Sequence, residues 1–227
     1  IKFNPDIYKL YSSLGNIYIS IADYGNAEKC LKKAIDINPK DVDSFIKFGM
    51  LYLKLQRRSD SIAFFKKAFN TNPKNYYYCY CLGSAFLEFH NYSDSINYLE
   101  KAVYINPNYS LAYHNLGVAY RRQGDLSNAK KYLKKALSLN DKIDFAHYNL
   151  GIVYEKQGFI NQSISSYKRA LKLNPRLVQA IHNIGCIQEK LGNFEDSLIS
   201  FDSAFKMDKS HIRSLAQILK VERQICL

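Results

Sequence analysis

Gly15, Gly49, Gly83, Gly117, Gly151 and Gly185 stand 34 residues apart without a slip. A glycine inside a helix is unfavourable by about 1 kcal/mol against alanine, so six of them in phase imply that close packing is gained at each. A fixed period of this length marks a repeat architecture, which has to be settled before any local motif is weighed. An array needs no single central core, because each unit buries its apolar face on its neighbours. The 227 residues are therefore expected to form one continuous solenoid.

Setting the glycine at position 8 places the repeats at 8–41, 42–75, 76–109, 110–143, 144–177 and 178–211, with 212–227 as a capping helix or truncated seventh repeat. The opening Ile1-Lys2-Phe3-Asn4-Pro5-Asp6 matches Ile35-Asp36-Ile37-Asn38-Pro39-Lys40 one period later, so residues 1–7 read as the end of a preceding repeat. Position 7 holds Leu14, Phe48, Leu82, Leu116, Leu150 and Ile184, and position 11 holds Tyr18, Tyr52, Phe86, Tyr120, Tyr154 and Gln188. With position 4 they form one helical stripe, so the first half of each unit is predicted to be an amphipathic helix. A turn follows, marked by Gly25-Asn26, Gly124-Asp125, Gly158 and Gly192-Asn193.

The second half carries a small residue at position 20 (Ala27, Ser61, Ser95, Ala129, Ser163, Ser197). A large one stands at position 24 (Leu31, Phe65, Leu99, Leu133, Tyr167, Phe201), and alanine at position 27 in all six units. Small residues opposite the glycine should let the two helices of a pair approach, while the aromatic at position 11 fills the space between successive pairs. Asn-Pro closes the unit at Asn38-Pro39, Asn72-Pro73, Asn106-Pro107 and Asn174-Pro175, on the expectation that asparagine takes the left-handed conformation that ends a helix.

This pattern resembles the tetratricopeptide repeat, with its period of 34, small residues at positions 8, 20 and 27, an aromatic at 11 and proline at 32. The resemblance covers essentially the whole chain. It implies an all-α solenoid, a right-handed superhelix of antiparallel helix pairs whose first helices line a concave groove. Departures are modest: position 4 is Tyr11, Phe45, Cys79, Tyr113, His147 and Ile181 where the family often has Trp, and Leu219 replaces the glycine in the last unit.

No constellation for catalysis emerges. Cys79 and Cys81 are two apart on a helix and point about 200° from each other, the wrong geometry for a shared metal. His114, His147 and His182 sit about one repeat apart, with no acidic partner that would make a base or ligand pair. The glycines are helix packers or turn formers, not a phosphate-cradling loop. No cofactor, no metal and no enzymatic activity are expected. Five cysteines, an odd number scattered through predicted helices, read as reduced thiols of an intracellular, cytoplasmic protein. No apolar run reaches membrane-spanning length.

The informative surface is the side of the first helix opposite the buried stripe. In the last three complete repeats position 6 is Asn115, Asn149 and Asn183, and position 5 is His114, Tyr148 and His182. A side-chain amide offers a donor and an acceptor, so asparagines stacked at one-repeat spacing suit the main chain of an extended peptide. The series resembles the asparagine ladder of O-linked N-acetylglucosamine transferase. The earlier repeats offer a more apolar lining that includes Lys47, Tyr77 and Tyr80. A carboxylate clamp of the chaperone-binding type is argued against, since only Asn16 fits its pattern.

Lys+Arg 32 against Asp+Glu 20 leaves a net charge of +12, which favours an acidic protein or peptide partner, and Arg121 and Arg122 at the groove border are the best anchors for one. Paired basic residues on the second helices read as a solvated ridge rather than a nucleic-acid surface. The sequence thus points to a non-enzymatic interaction scaffold that binds an extended or helical partner segment. Two other readings stay open: the substrate-recognition array of a larger enzyme such as a glycosyltransferase, and a structural subunit of an assembly or homodimer.

Overall fold

The computed structural model describes residues 6–225; the opening Ile1–Pro5 stretch, Cys226 and Leu227 lie outside the described residues. Among those described, the chain is all helical. The helices are α1 (Ile7–Ser20), α2 (Tyr24–Ile37), α3 (Val42–Lys54), α4 (Arg58–Thr71), α5 (Tyr76–Glu88), α6 (Tyr92–Ile105), α7 (Ser110–Gln123), α8 (Leu126–Leu139), α9 (Asp144–Lys156), α10 (Ile160–Leu173), α11 (Val178–Lys190), α12 (Phe194–Met207) and α13 (Ile212–Ile225). Each repeat is an antiparallel pair, and second helices pack on the first helix of the next pair, as α2 on α3 and α10 on α11. The chain divides into two compact units, one ending at Asn115 and one beginning at Leu116.

The glycine period has a direct steric cause. A Cβ built on Gly15 would lie 2.7 Å from Leu31 Cγ, on Gly49 2.6 Å from Phe65 Cε1, on Gly117 2.5 Å from Leu133 Cγ and on Gly185 2.7 Å from Phe201 Cε1. Carbon atoms in contact prefer about 3.5–4.0 Å, so no larger residue fits without displacing the partner. The glycine is thus the hole for the large residue at position 24, which is at most 2% exposed in every repeat. Position 20 sits against the glycine's backbone: Ser61 and Ser163 donate to the carbonyl oxygens of Gly49 and Gly151, each at 2.9 Å. The aromatic at position 11 fills the joint between pairs as expected, Tyr52 clustering with Ala27 and Leu31 of the preceding pair, and Tyr154 with Ala129 and Leu133.

Two local expectations are corrected. Gly25 does not make the first turn; it lies in the opening turn of α2, and the left-handed residue there is Ala22 at φ 60°. Every turn between the helices of a pair places its left-handed residue at position 15: Ala22, Gln56, His90, Gly124, Gly158 and Gly192. The closing asparagines are not left-handed either. Asn38, Asn106 and Asn174 are extended (φ −131°, −129° and −134°), a conformation that suits the following proline but is shared by Asn140 and Asp208, which have none. Their side-chain oxygens accept the amide of the residue two further on, Lys40, Asn108 and Arg176, at 3.1–3.2 Å. The same turn forms without proline at Asn140 (3.0 Å from Lys142 N) and Asp208 (2.9 Å from Ser210 N), which shows that the side-chain oxygen is the working part.

Candidate functional site

Positions 2, 5 and 6 of the first helices carry most of the candidate groove residues, and within the first unit they form a polar cluster and an aromatic one. Lys47 on α3 is ion-paired with Asp43, donates to Ser12 Oγ at 3.0 Å, and Ser12 in turn donates to Asp43 at 3.1 Å. The lysine side chain is only 14% exposed, so its charge is compensated inside this ring of three. On α5, Tyr77 and Tyr80 lie 6.2 Å apart between centroids, and Tyr109 packs edge-on against both Tyr76 and Tyr80 at 5.0 Å. Burial pushes the hydroxyls of Tyr77 and Tyr109 far up and the Cys81 thiol up to about 12, so these groups stay protonated. Asn115 donates through Nδ2 to Ser84 Oγ at 2.8 Å, and burial raises the Tyr80 hydroxyl against the opposing influence of Ser84 and Asn115. His114 beside it is half-buried.

In the second unit the corresponding residues are held differently. Tyr148 packs on Tyr167 at 5.8 Å; burial raises its hydroxyl, against a hydrogen bond from Asn183 and the charges of Arg121 and Arg122. Arg122 is exposed and Arg121 half-buried. Asn149 is only 6% exposed, and its amide is turned back onto the Phe145 carbonyl at 2.7 Å, so of the three asparagines it presents least surface. Asn183 donates to the Tyr167 hydroxyl at 3.1 Å, and Tyr167 to Glu155 Oε2 at 3.1 Å. His182 Nδ1 lies 3.0 Å from Ser214 Oγ, and His211 Nδ1 lies 2.8 Å from the same oxygen. Burial, reinforced by His211 and Arg213, lowers His182 to about 4, so the ring is neutral at pH 7.

One residue of this face was missed in the sequence. Adding one period to Asn183 gives Gln217 on α13, position 6 of the incomplete seventh unit; the signal was present in the register but masked by the loss of that unit's glycine. Gln217 lines a pocket of about 400 Å³ with Glu155, Asn183, Cys186, Glu189, Lys190, Phe194, Lys220 and Gln224. The basic pairs on the second helices are largely solvated, and several lie over rings, as Lys33 over Tyr11 (5.4 Å) and Lys67 over Phe64 (4.7 Å). Among the described residues no group of three or more His, Cys, Asp and Glu side chains could hold a metal, and no helix is long and apolar enough to cross a membrane.

Comparison with known proteins places this arrangement. Models of the tetratricopeptide repeat match residues 8–41, 42–75, 76–109, 110–142, 144–177 and 178–211. No curated protein matches the sequence. Among solved structures, PilW, a type IV pilus biogenesis factor, superposes with a TM-score of 0.84 at 19% identity over 94% of this chain and 98% of its own. Pseudomonas aeruginosa PilF gives 0.80 at 15% identity, over 94% and 97%. YrrB, described as a tetratricopeptide-repeat protein with an unusual peptide-binding site, gives 0.61 at 22% identity over 82% and 96%. At these identities the likeness is one of fold.

Proposed function

We propose, from the premise that this chain belongs to the tetratricopeptide-repeat family, that it is a protein-interaction scaffold whose first-helix faces bind an extended partner segment. The carrying observation is how Asn115 and Asn183 are held. In each, the amide nitrogen donates to a hydroxyl of the preceding repeat: Asn115 to Ser84 Oγ and Asn183 to the Tyr167 hydroxyl. With the donor occupied, the carbonyl oxygen is the end offered outward, so the face reads a partner through main-chain N–H groups. In the first unit His114, Lys47, Tyr77 and Tyr80 belong to the same face as Asn115, and in the second Asn149 and His182 belong to that of Asn183. Arg121 and Arg122 supply positive charge next to Tyr148 and would hold an acidic residue of the segment.

The experiment is to capture partners with the chain as bait, narrow the bound segment to a peptide, and measure its affinity for Asn115→Ala and Asn183→Ala. A loss of about 5–10-fold per asparagine is expected from one hydrogen bond. Unaltered affinity in both variants would sink the reading.

A further inference from the structure

Leu10, Leu14, Ile17 and Ile21 form a stripe along the outer side of α1 and are 67%, 39%, 55% and 65% exposed. They stand at repeat positions 3, 7, 10 and 14. In every later unit position 10 is fully buried, as Leu51, Ala85, Ala119, Val153, Ile187 and Val221. The second helix of the preceding unit covers it there: Leu51 clusters with Ala27 and Leu31 of α2, Val153 with Ala129 and Leu133 of α8, and Ile187 with Tyr167 and Ala170 of α10. The inner side of α1 is engaged separately, with Ser12 and Gly15 buried and Tyr18 and Ile19 packed on the cluster that holds Leu31 and Phe48. The helix thus has a second apolar side that this chain leaves in solvent.

Three features of the stripe decide what covers it. In the later units position 3 is small and fully buried, as Ser44, Ala112, Ala146, Ala180 and Ser214, with Tyr78 the exception, and the small residue lets the preceding second helix come close. Leu10 puts a large branched side chain at that position, so a helix seated as in the later units has to stand off. The four residues are separated by four, three and four positions, the a/d spacing of a heptad seam. That order reads the same in both directions: two copies of α1 laid antiparallel put Leu10 against the partner's Ile21 and Leu14 against the partner's Ile17, each contact made twice. Finally, no charged residue lies between Lys9 and Asp23, and Lys9 at the edge is paired with Asp6 at 2.9 Å. A chain of net charge +12 can meet itself here without bringing like charges together.

We propose that this side of α1 is a self-association face, which pairs antiparallel with α1 of a second copy of this chain about a two-fold axis passing between Gly15 and Asn16. The seam is a self-complementary one, with the same four side chains supplied by each copy. One helix per copy makes an interface at the low end of the size range, so the association is weak and depends on concentration. None of the four residues belongs to the groove face, and the pairing therefore stands or falls independently of the groove reading.

Sedimentation of the full chain from about 1 to 300 μM should show a monomer–dimer equilibrium with a dissociation constant of about 1–100 μM. Ile17→Glu should raise that constant about 100-fold or more, since the symmetry places each new charge in the seam twice, and should leave the circular dichroism spectrum unchanged because the side chain is exposed in the single copy. Ile199→Glu, at a residue 66% exposed on α12, should leave the constant as it is. Orientation is read by oxidising a mixture of Leu10→Cys and Ile21→Cys copies and mapping the cross-linked peptides. Joining of the two different variants through positions 10 and 21 is expected; joining of like with like would overturn the antiparallel order. A chain that stays monomeric over the whole range, or a dimer indifferent to Ile17→Glu, would overturn the face. A monomer that melts higher when a synthetic peptide of residues 24–39 is added would overturn it too, by giving the stripe to a preceding second helix.

Discussion

The hydroxyl of Ser61 donates to the carbonyl oxygen of Gly49 at 2.9 Å, across the two helices of one repeat. Ser163 makes the same bond to Gly151, but Ser95, at the same repeat position and fully buried, leaves its hydroxyl without a partner among the described residues. Ala27 and Ala129 occupy the position elsewhere. Ser95→Ala should therefore raise stability by about 1–2 kcal/mol and Ser61→Ala lower it by about 1 kcal/mol. Urea denaturation of the two variants beside the parent checks the opposite signs; a loss in both would refute the account of Ser95.

The turn at Ala22 carries backbone strain that the last three repeats avoid with glycine. A left-handed conformation costs a non-glycine residue about 1–2 kcal/mol, part of which glycine gives back through unfolded-chain entropy. Ala22→Gly is expected to stabilise by about 0.5–1 kcal/mol, and Gly158→Ala, where a Cβ meets no atom within 4 Å, to destabilise by about 1 kcal/mol through strain alone. Paired thermal melts measure both.

Gly151→Ala is a different kind of change. A Cβ there would lie 2.6 Å from Tyr167 Cδ1 and Cε1, and Tyr167 is fully buried with its hydroxyl bonded to Glu155. Overpacking of this sort costs about 1–3 kcal/mol, more than the helix propensity that alanine gains. The denaturation midpoint should fall. A rise would mean that the ring yields freely.

The packing of α13 on α11 should respond to pH. His182 has its folded-state value lowered to about 4 from 6.5, so the protein favours its neutral form. The stability it contributes is complete above pH 6.5 and is lost as pH falls toward 4, as protons are taken up first by the unfolded chain. The ring is half-buried, so after solvent screening the effect is about 1–2 kcal/mol. His211 and Arg213 act in the same direction and Glu189 opposes them. Unfolding measured between pH 7.5 and 4.5 should show this slope, and His182→Gln should flatten it.

Legibility followed the range of the interaction. Asn115, Asn149 and Asn183 were found because they recur at one period, and Gln217 follows the same rule once the period is carried past the last glycine. That Asn149 folds back on Phe145 while Asn183 reaches Tyr167 is invisible at that level, because both have the same residue type at the same repeat position. Lys47 was read as part of the lining of the earlier repeats, and Asp43 and Ser12, the latter 35 residues away, enclose its charge. The closing asparagines were found for the wrong reason: their position was read correctly, but their conformation is that of the side-chain turn, which forms with or without proline.

The sequence alone determined the repeat, its register, the helix pairs and the pairing of small with large positions, because these depend on residue size and on spacing along one helix. Only the tertiary structure decided what each asparagine amide nitrogen engages, which charges are already answered, and that Gln217 and two enclosed carboxylates share a pocket. Several of those outcomes arise from contacts between helices, such as Asn115 with Ser84, 31 residues away, and Asn183 with Tyr167, 16 away. There orientation and desolvation, rather than residue type, set what a partner can bind.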